Sequence, residues 1–365
     1  MCTSTSFFLL VLRKFDYLGE LMNIGILTGG GDCPGLNPVI RAVVRKSIAA
    51  GNKVIGIKQG WKGLLENIYT PLEMEDVSGI LHRGGTILRS SRTNIYSVNN
   101  GESIVKENMH KVGMDALVAI GGEDTLGVAA KLFKAGVNVV GVPKTIDNDL
   151  NATDYTFGFD TAVNIAMEAI DRLHTTAESH NRVIVVEVMG RHAGWIAVHA
   201  GMAGGADIIL IPEKPVHLDD VTDIIKKRHE RGKDFSIVVV AEGAKLSTVK
   251  GDREILQTEK LDAFGHVKLG GIGDLIAQEI ERRTGFETRS TVLGHLQRGG
   301  SPSAFDRVLG TRLGHYAAEL VESGRFGKMA ALKGKDIVAV DLEEATKELK
   351  LVDEELYKVA STFFG

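Results

Sequence analysis

The sequence has little cysteine and no hydrophobic run long enough to cross a bilayer. Two cysteines, Cys2 and Cys33, occur among 365 residues, which excludes a disulfide framework and a cysteine zinc site. The apolar run at residues 7–12 is followed by Arg13 and Lys14, whereas a membrane span needs about 20 apolar residues and a signal peptide at least about 7. We therefore expect no membrane association and a reducing, cytoplasmic location.

The sequence also lacks a large excess of positive or negative charge. The formal net charge is −4, so we expect no basic surface for nucleic acid or an anionic membrane. At 365 residues the chain is longer than one compact core usually holds, which predicts two domains. Met22 stands directly before the first predicted strand, so we interpret residues 1–21 as an N-terminal extension that is disordered or comes from a misassigned start.

Apolar, β-branched runs alternate with amphipathic stretches along most of the chain. This alternation predicts an α/β fold with doubly wound, mainly parallel sheets. In such sheets ligands bind beyond the carboxyl ends of the strands. A helical pattern covers residues 161–172. The predicted strands are residues 24–27, 54–57, 117–120, 137–142, 183–188, 208–211, 237–240 and 290–293.

The loop after the first predicted strand is rich in glycine. Gly29, Gly30 and Gly31 allow backbone N–H groups to approach a phosphate closely, and the following helix adds partial positive charge. A tight strand-to-helix turn explains the same glycines equally well. The loop is neither a Walker A motif nor a dinucleotide fingerprint, because no Gly-Lys-Ser/Thr closes it and Pro34 stands where a third spaced glycine is required.

Two further loops carry glycine pairs beside charged side chains. Arg92 follows the pair at residues 84–85, and Arg is the usual clamp for phosphate oxygens, although a solvated surface arginine is the alternative. Glu123 and Asp124 follow the pair at residues 121–122. Adjacent carboxylates suit Mg²⁺ that bridges phosphate oxygens, and they also suit the start of a helix.

The loop at residues 143–149 combines a lysine with three acids or amides. Asp147 lies beside hydroxyl and amide groups and suits acceptance of a proton from an attacking alcohol, while Lys144 suits neutralisation of phosphate charge. A plain Asp-Asn-Asp turn is the alternative. Basic residues stand beside the later strands at Arg182, Arg191 and Arg289.

Four segments of the sequence resemble segments of the 6-phosphofructokinase family. They are residues 28–37 (TGGGDCPGLN), 143–149 (PKTIDND), 187–191 (EVMGR) and 294–300 (GHLQRGG). They occur in the family's order, and the resemblance runs from Met22 to about Leu342. It implies transfer of a phosphoryl group to the 1-hydroxyl of fructose 6-phosphate, with Mg²⁺ as cofactor.

The resemblance also assigns roles to individual residues. Asp147 matches the proton acceptor, Gly31 and Arg92 match contacts to the phosphoryl donor, and Glu123 matches the Mg²⁺ ligand. Arg182 and Arg289 match residues that a neighbouring subunit supplies, which implies a homodimer or homotetramer. The remaining sugar-phosphate residues are Thr145, Ile146, Met189, Gly190, Arg191, Glu242, His295, Leu296, Gln297 and Arg298.

The family fold implies two Rossmann-like domains with the active site in the cleft between them. The larger, donor-binding domain would comprise residues 22–158 and about 297–347. The smaller, sugar-binding domain would comprise about 159–296 and 348–365. Residues 1–21 would precede both.

Asp124 and Lys144 point to diphosphate as the donor. The resemblance implies glycine at both positions in well-known ATP-using members, where it leaves room for the α-phosphate. A carboxylate at Asp124 fills that room and repels the α-phosphate by about 4 kcal/mol at 4 Å and an effective dielectric of 20, which exceeds two decades of affinity. Lys144 would pair with Asp124 and stabilise bound diphosphate.

Two alternatives remain open. An ATP-dependent 6-phosphofructokinase would have the same fold and motifs, and some such enzymes also carry Lys at the position of Lys144. A non-catalytic sugar-phosphate sensor is a different class of protein. The presence of Asp147, Glu123 and Arg191 argues against the sensor, because a binding protein has no use for a general base.

Overall fold

The computed structural model describes residues 21–365 except 249–250, 254–255, 259–263 and 266–267. The predicted N-terminal extension therefore lies almost wholly outside the described residues. The strands are β1 Asn23–Thr28, β2 Lys53–Ile57, β3 Tyr69–Leu72, β4 Ala116–Gly121, β5 Val139–Thr145, β6 Phe157–Gly158, β7 Val183–Val188, β8 Ile208–Leu210, β9 Ser236–Ala241, β10 Leu246–Thr248, β11 Gly251–Arg253, β12 Leu256–Thr258, β13 Lys268–Leu269, β14 Thr288–Val292, β15 Lys328–Lys333 and β16 Asp336–Asp341.

Helices follow most of the strands. Two short 3₁₀ helices cover Ile95–Ser97 and Gly294–Arg298. The α-helices are α1 Leu36–Ala49, α2 Trp61–Glu66, α3 Gly101–Lys111, α4 Glu123–Lys134, α5 Phe159–His180, α6 Trp195–Ala203, α7 Leu218–Glu230, α8 Ile272–Thr284, α9 Ala304–Glu322, α10 Leu342–Ala345 and α11 Glu354–Ser361. Among the described residues, no helix is long and apolar enough to cross a membrane.

The larger sheet has the order β16-β15-β5-β4-β1-β2-β3, with β6 paired to β5. Its central strands β2, β1, β4, β5 and β15 are parallel, and only the edge strands β3 and β16 run antiparallel to their neighbours. The smaller sheet, β14-β7-β9-β8, is parallel throughout. The predicted α/β class with mainly parallel sheets is confirmed.

Burial on both faces explains why the central strands are continuously apolar. In β4, Ala116, Val118 and Ile120 belong to one core cluster, while Leu117 and Ala119 belong to a second cluster on the opposite face. Successive side chains point to opposite faces of a sheet, so each face of β4 is covered by helices. A strand that is covered on both faces therefore does not alternate between polar and apolar residues in the sequence.

The sequence prediction differed from the structure in some element bounds and in several strands that it missed. Strand β5 starts at Val139 and not at Val137, and α5 covers Phe159–His180 and not only residues 161–172. Strand β3 contains Pro71, and proline is tolerated in edge strands, so its composition did not indicate a strand. Strands β15 and β16 were also missed, although neither contains proline. The domain boundaries stay a prediction.

Asp306 of α9 is hydrogen-bonded to the start of α5. It is fully buried, and its carboxylate accepts hydrogen bonds from Gly158 N at 2.9 Å, Thr161 N at 2.8 Å and Thr161 Oγ1 at 2.5 Å. The first N–H groups of a helix lack partners within the helix, and Asp306 satisfies two of them for α5. Burial raises the pKa of Asp306 to about 6, although these hydrogen bonds lower it.

Candidate active site

Hydrogen bonds to residues from other parts of the chain fix the glycine loop after β1. Gly29 N donates to Ile120 O at 2.9 Å and Gly30 N donates to Ser91 O at 3.2 Å. Ser90 Oγ donates to Gly30 O at 2.5 Å. The N–H donors of Gly29 and Gly30 are therefore used inside the protein. Gly31 stays the predicted contact to the phosphoryl donor.

Two cations lie against this loop. Lys144, at the end of β5, is 3% exposed and donates a hydrogen bond from Nζ to Gly31 O at 2.5 Å. From the other side, Arg298 Nη1 donates to Asp32 O at 3.3 Å. A Cβ atom on Gly31 would lie 2.7 Å from Arg298 Nη1. Glycine at this position therefore lets the guanidinium approach the backbone.

Burial shifts the titration of the buried lysine. It lowers the pKa of Lys144, and the nearby guanidinium of Arg298 lowers it further. The thiol of Cys33 and the carboxylates of Asp147 and Asp32 act in the opposite direction. A partly desolvated ammonium gains strongly from an anion, so this position favours a phosphate beside the glycine loop.

Two adjoining cavities open at the carboxyl ends of the strands. The inner cavity, of about 150 Å³, and the outer cavity, of about 450 Å³, share Gly30, Gly31, Arg92 and Arg298 in their walls. His295 lines the outer cavity. The predicted site residues that line the inner cavity are Gly31, Arg92, Glu123, Asp124, Lys144, Thr145, Asp147, Met189, Arg191, Glu242 and Arg298.

Asp147 has a carboxylate oxygen that is ready to accept a proton. Its backbone N–H donates to Thr145 Oγ1 at 3.1 Å, but its Oδ1 is buried and has no hydrogen-bond partner among the described residues. Buried carboxylate oxygens are nearly always hydrogen-bonded, because an unmet one costs about 1–3 kcal/mol. An exception inside a cavity suits a group whose partner is a substrate hydroxyl.

The surroundings of two other acids in the inner cavity raise their pKa values. Burial raises the pKa of Glu242 to about 7, with the charge of Asp147 as a further cause and Arg191 acting against it. Burial also raises the pKa of Asp149 to about 7, again assisted by Asp147. Close carboxylates disfavour each other's ionisation. Such a cluster suits a cation that is bound by the carboxylates on one side and by an anionic ligand on the other.

Some predicted sugar-binding residues do not line either cavity. Ile146 is fully buried in the core, and Leu296 is 70% exposed. Gln297 is fully buried, and its Oε1 accepts a hydrogen bond from Met189 N at 3.3 Å. Gly190 has a φ of +134° and turns the chain between Met189 and Arg191. Gln297 thus supports the wall residue Met189, and direct contacts of these four residues to a ligand stay a prediction.

Arg182 and Arg289 lie far from the cavities. Both bind the same carboxylate oxygen, Glu287 Oε1, at 2.7 Å and 2.6 Å. They stand at the amino ends of β7 and β14, where Arg289 pairs with Ile184. Five or six residues at about 3.3 Å each separate this end from the carboxyl ends. Neither arginine can therefore reach the cavities of its own chain.

Several residues important to the site gave no clear signal in the sequence. Thr125 fills the space over two glycines, since a Cβ on Gly29 or Gly121 would lie 2.5 Å or 2.2 Å from its side chain. Glu187 is buried and accepts from Gly271 N at 3.1 Å and Gly273 N at 2.8 Å, which caps α8. A charge inside the apolar strand β7 was the one available clue to Glu187.

The assembled groups suit phosphoryl transfer to an alcohol. A carboxylate oxygen of Asp147 that has no partner among the described residues can take a proton, and Lys144, Arg92 and Arg298 can hold phosphate charge around the glycine loop. Phosphoryl transfer depends chiefly on positioning and on electrostatic stabilisation of the transferred group. Arg191 and Glu242 on the opposite wall belong to the loops after β7 and β9, so the reaction would take place between the two sheets.

Comparisons with known proteins agree on one family. The family model described as phosphofructokinase matches residues 23–321. A protein of Amycolatopsis mediterranei (strain S699) named pyrophosphate–fructose 6-phosphate 1-phosphotransferase is 61% identical over 346 residues, which are 94% of this chain and 100% of that protein. A Streptomyces coelicolor protein named ATP-dependent 6-phosphofructokinase 3 is 52% identical over 340 residues, which are 93% of this chain and 99% of that protein.

A solved structure agrees with this result. Phosphofructokinase of Pichia pastoris in the T-state matches with a TM-score of 0.79 and 35% identity. The match covers 94% of this chain and 39% of that much longer chain. Since relatives more than half identical to this chain are named for different donors, the donor must be argued from the cavity.

Proposed function

Because the chain belongs to the phosphofructokinase family, we propose that it transfers a phosphoryl group from diphosphate to the 1-hydroxyl of fructose 6-phosphate. The products are fructose 1,6-bisphosphate and phosphate, and the reaction runs in both directions. One observation carries the choice of donor: Asp124 and Lys144 line the same small cavity as Asp147 and the glycine loop. The 61% identical relative named for pyrophosphate supports it.

The acceptor side of the reaction centres on Asp147. Its Oδ1, which has no partner in the described part of the chain, takes the proton of the 1-hydroxyl as the hydroxyl oxygen attacks one phosphorus of diphosphate. A new oxygen–phosphorus bond forms, the bridging P–O bond breaks, and the leaving phosphate keeps the electron pair. Arg191 and Glu242 on the opposite wall bind the sugar, and His295 and Arg298 bind its phosphate. A base within reach of the hydroxyl contributes about 10²–10⁴-fold in rate.

The donor side is formed by Gly31, Arg92 and Lys144. The Lys144 ammonium already lies 2.5 Å from the Gly31 carbonyl oxygen, so it faces the same phosphate as the loop. Asp124 excludes ATP by its negative charge and its volume. A diphosphate has no α-phosphate joined to a ribose, and therefore it does not need the space that the Asp124 carboxylate takes in the inner cavity.

The residues of the inner cavity fit Mg²⁺ that arrives with diphosphate. Among the described residues, no three acidic, histidine or cysteine side chains form a complete metal cage. Mg²⁺ is commonly held by one or two carboxylates together with substrate phosphate oxygens, so an incomplete acidic set suits it. Glu123 would hold the ion. When bound, Mg²⁺ neutralises charge on the phosphate oxygens.

The functional unit is a homo-oligomer, either a dimer or a tetramer. Support comes from Arg182 and Arg289, which both form ion pairs with Glu287. These ion pairs lie at the amino ends of the strands, whereas the cavities of the same chain lie at the carboxyl ends. A second copy can receive them as phosphate contacts, because closed symmetric assemblies present the same patch to each other. The scarcity of cysteine supports action in a reducing cytoplasm.

Steady-state turnover with different donors tests the function. Purified protein with Mg²⁺ and fructose 6-phosphate should turn over with diphosphate and hardly at all with ATP. Asp124→Gly should raise kcat/KM for ATP by about 100-fold and lower it for diphosphate. Asp124→Asn keeps the volume and removes the charge, so it separates repulsion from steric exclusion.

Other outcomes would identify the alternatives. Equal or faster turnover of the wild type with ATP would mean an ATP-dependent enzyme of the same family. Binding of fructose 6-phosphate without turnover by either donor would mean a sugar-phosphate sensor.

A further inference from the structure

The C-terminal segment 349–352 connects the loop of the proton acceptor with the opposite wall of the inner cavity. It directly precedes α11 and lies far along the chain from Asp147. Leu349 forms an isolated antiparallel bridge with Leu150, and Lys350 N donates to Asp149 O at 2.8 Å. The segment is therefore bonded directly to the residues that follow Asp147.

The ammonium of Lys350 has three acceptors in this loop. Lys350 Nζ lies 3.1 Å from Asn148 Oδ1, 2.9 Å from Thr153 O and 2.9 Å from Asp154 O. A lysine ammonium has three donors, so all of them are used. Asn148 has a φ of +52°, in the left-handed region that costs a non-glycine residue about 1 kcal/mol. Its side chain is held in place by Lys350 and by Thr156 N at 3.0 Å.

The other side of the segment is bonded to the start of α6. Trp195 Nε1 donates to Lys350 O at 2.8 Å, and the Lys350 ammonium lies 5.5 Å from the centre of the indole ring. Glu213 accepts from both Val352 N at 2.9 Å and Gly194 N at 3.0 Å. Helix α6 follows the loop of Met189 and Arg191 without a break, so the segment is also fixed to the sugar-binding wall.

We propose that Lys350 is a positioning residue for the transferred proton: it fixes Asp147 relative to the wall that carries Arg191. This inference rests on the proposed role of Asp147 as proton acceptor, and it holds whichever donor the enzyme uses. Misplacing a reacting group by about 1 Å can cost 100-fold in rate. Ligand binding depends on other side chains, so loss of Lys350 should lower kcat and leave KM unchanged.

The charge of Lys350 gives the proposal a pH signature. Burial lowers the pKa of Lys350 to about 8, Asp154 and Asp149 raise it, and Lys333 lowers it. On the side of α6, His199 faces Lys350; burial lowers the pKa of that histidine, and the charge of Lys350 lowers it further. The ammonium is thus present at pH 7 and is lost as the pH rises through 8. An arginine in its place would stay charged.

The variants Lys350→Met and Lys350→Arg test the proposal, with Lys347→Met as the control, since Lys347 is exposed and lies just before the segment. Lys350→Met should lower kcat by about 10–100-fold with both KM values within twofold of wild type. Lys350→Arg should retain most of kcat and keep its activity above pH 8, where the wild type declines. Melting curves confirm that each variant is folded at the assay temperature.

Trp195 fluorescence gives a readout that does not depend on turnover. The wild-type emission should titrate with a midpoint near pH 8, because the ammonium beneath the indole loses its charge, and Lys350→Met should abolish this transition. A folded Lys350→Met variant with wild-type kcat, or one that raises KM at unchanged kcat, would overturn the proposal. So would an equal loss in Lys347→Met. Absence of turnover with every donor, with the fluorescence transition intact, would instead contradict the proposed function.

Discussion

The Lys144 ammonium donates a hydrogen bond to the carbonyl oxygen of Gly31, at 2.5 Å, from a position that is 3% exposed. The contact joins the end of β5 to the loop after β1. It leaves the lysine beside Gly30 as well, since a Cβ there would lie 3.5 Å from Nζ. A buried cation against a glycine loop is costly to keep in the absence of an anion.

Lys144→Met should separate stability from donor binding. A hydrogen bond to a charged group contributes about 1.5–3 kcal/mol, so kcat/KM for diphosphate should fall by about 10–100-fold. The free energy of unfolding should change little, because methionine removes the cost of a buried charge. Steady-state kinetics and urea unfolding measure the two effects. Lys111→Met, at an exposed position, is the control, and an equal kinetic loss there would refute the role of Lys144.

Asp147→Asn should remove catalysis while leaving the fold intact. We expect kcat to fall by about 10²–10⁴-fold and the KM values to stay near those of wild type. Stability should not decrease, since the buried Oδ1 has no partner among the described residues. Asp149→Asn provides the comparison within the same loop. An equally large loss of kcat in that variant would contradict a specific role for Asp147.

Gly243 is required for the position of the sugar-binding wall. A Cβ at Gly243 would lie 1.9 Å from Arg191 O, and this atom is backbone that cannot turn aside. Gly243→Ala should therefore lower the melting temperature and raise KM for fructose 6-phosphate. Gly127 in α4 is the matched control, because a Cβ there meets nothing within 4 Å. Gly127→Ala should be stabilising by up to about 1 kcal/mol with unchanged kinetics.

Glu242 should make stability depend on pH in an unusual direction. Its pKa is raised from 4.5 to about 7 in the folded protein, so the folded state holds the extra proton between these values. The resulting stabilisation is complete below pH 4.5 and is lost as the pH rises through 7. Glu242→Gln, which cannot ionise, should be more stable than wild type by about 1–3 kcal/mol at pH 8 and equal to it at pH 4.5.

Urea unfolding at the two pH values measures the effect of Glu242→Gln. The control is Glu230→Gln, at an exposed position at the end of α7, which should behave as wild type at both values. A gain of the same size at pH 4.5 and pH 8 would show that the substitution acts through packing and not through charge.

The loops of the site were predictable because parallel strands bring their carboxyl ends to one edge. Gly31, Glu123 and Asp147 follow apolar strands of the larger sheet, Lys144 lies at the end of one, and all four line one cavity. Their neighbours along the chain were enough to indicate phosphate chemistry. The order of the strands was not needed for that inference.

Contacts between distant parts of the chain were not predictable in this way. Lys350 lies 202 positions from Asn148, and Asp306 lies 145 positions from Thr161. Neither residue stands in a pattern that distinguishes it from a surface charge. The hydrogen bonds that occupy the N–H groups of Gly29 and Gly30 also depend on which strands become neighbours, and this is a property of the complete fold.

The position of Arg182 and Arg289, which both contact Glu287, has a consequence for mixtures of two inactive variants. A chain with Asp147→Asn still carries both arginines, and a chain with Arg182→Ala and Arg289→Ala still carries its acid. If each active centre draws on two polypeptides, a mixed dimer contains one centre with every part intact. Refolding the two inactive proteins together in equal amounts should then restore about a quarter of wild-type activity, by complementation between subunits.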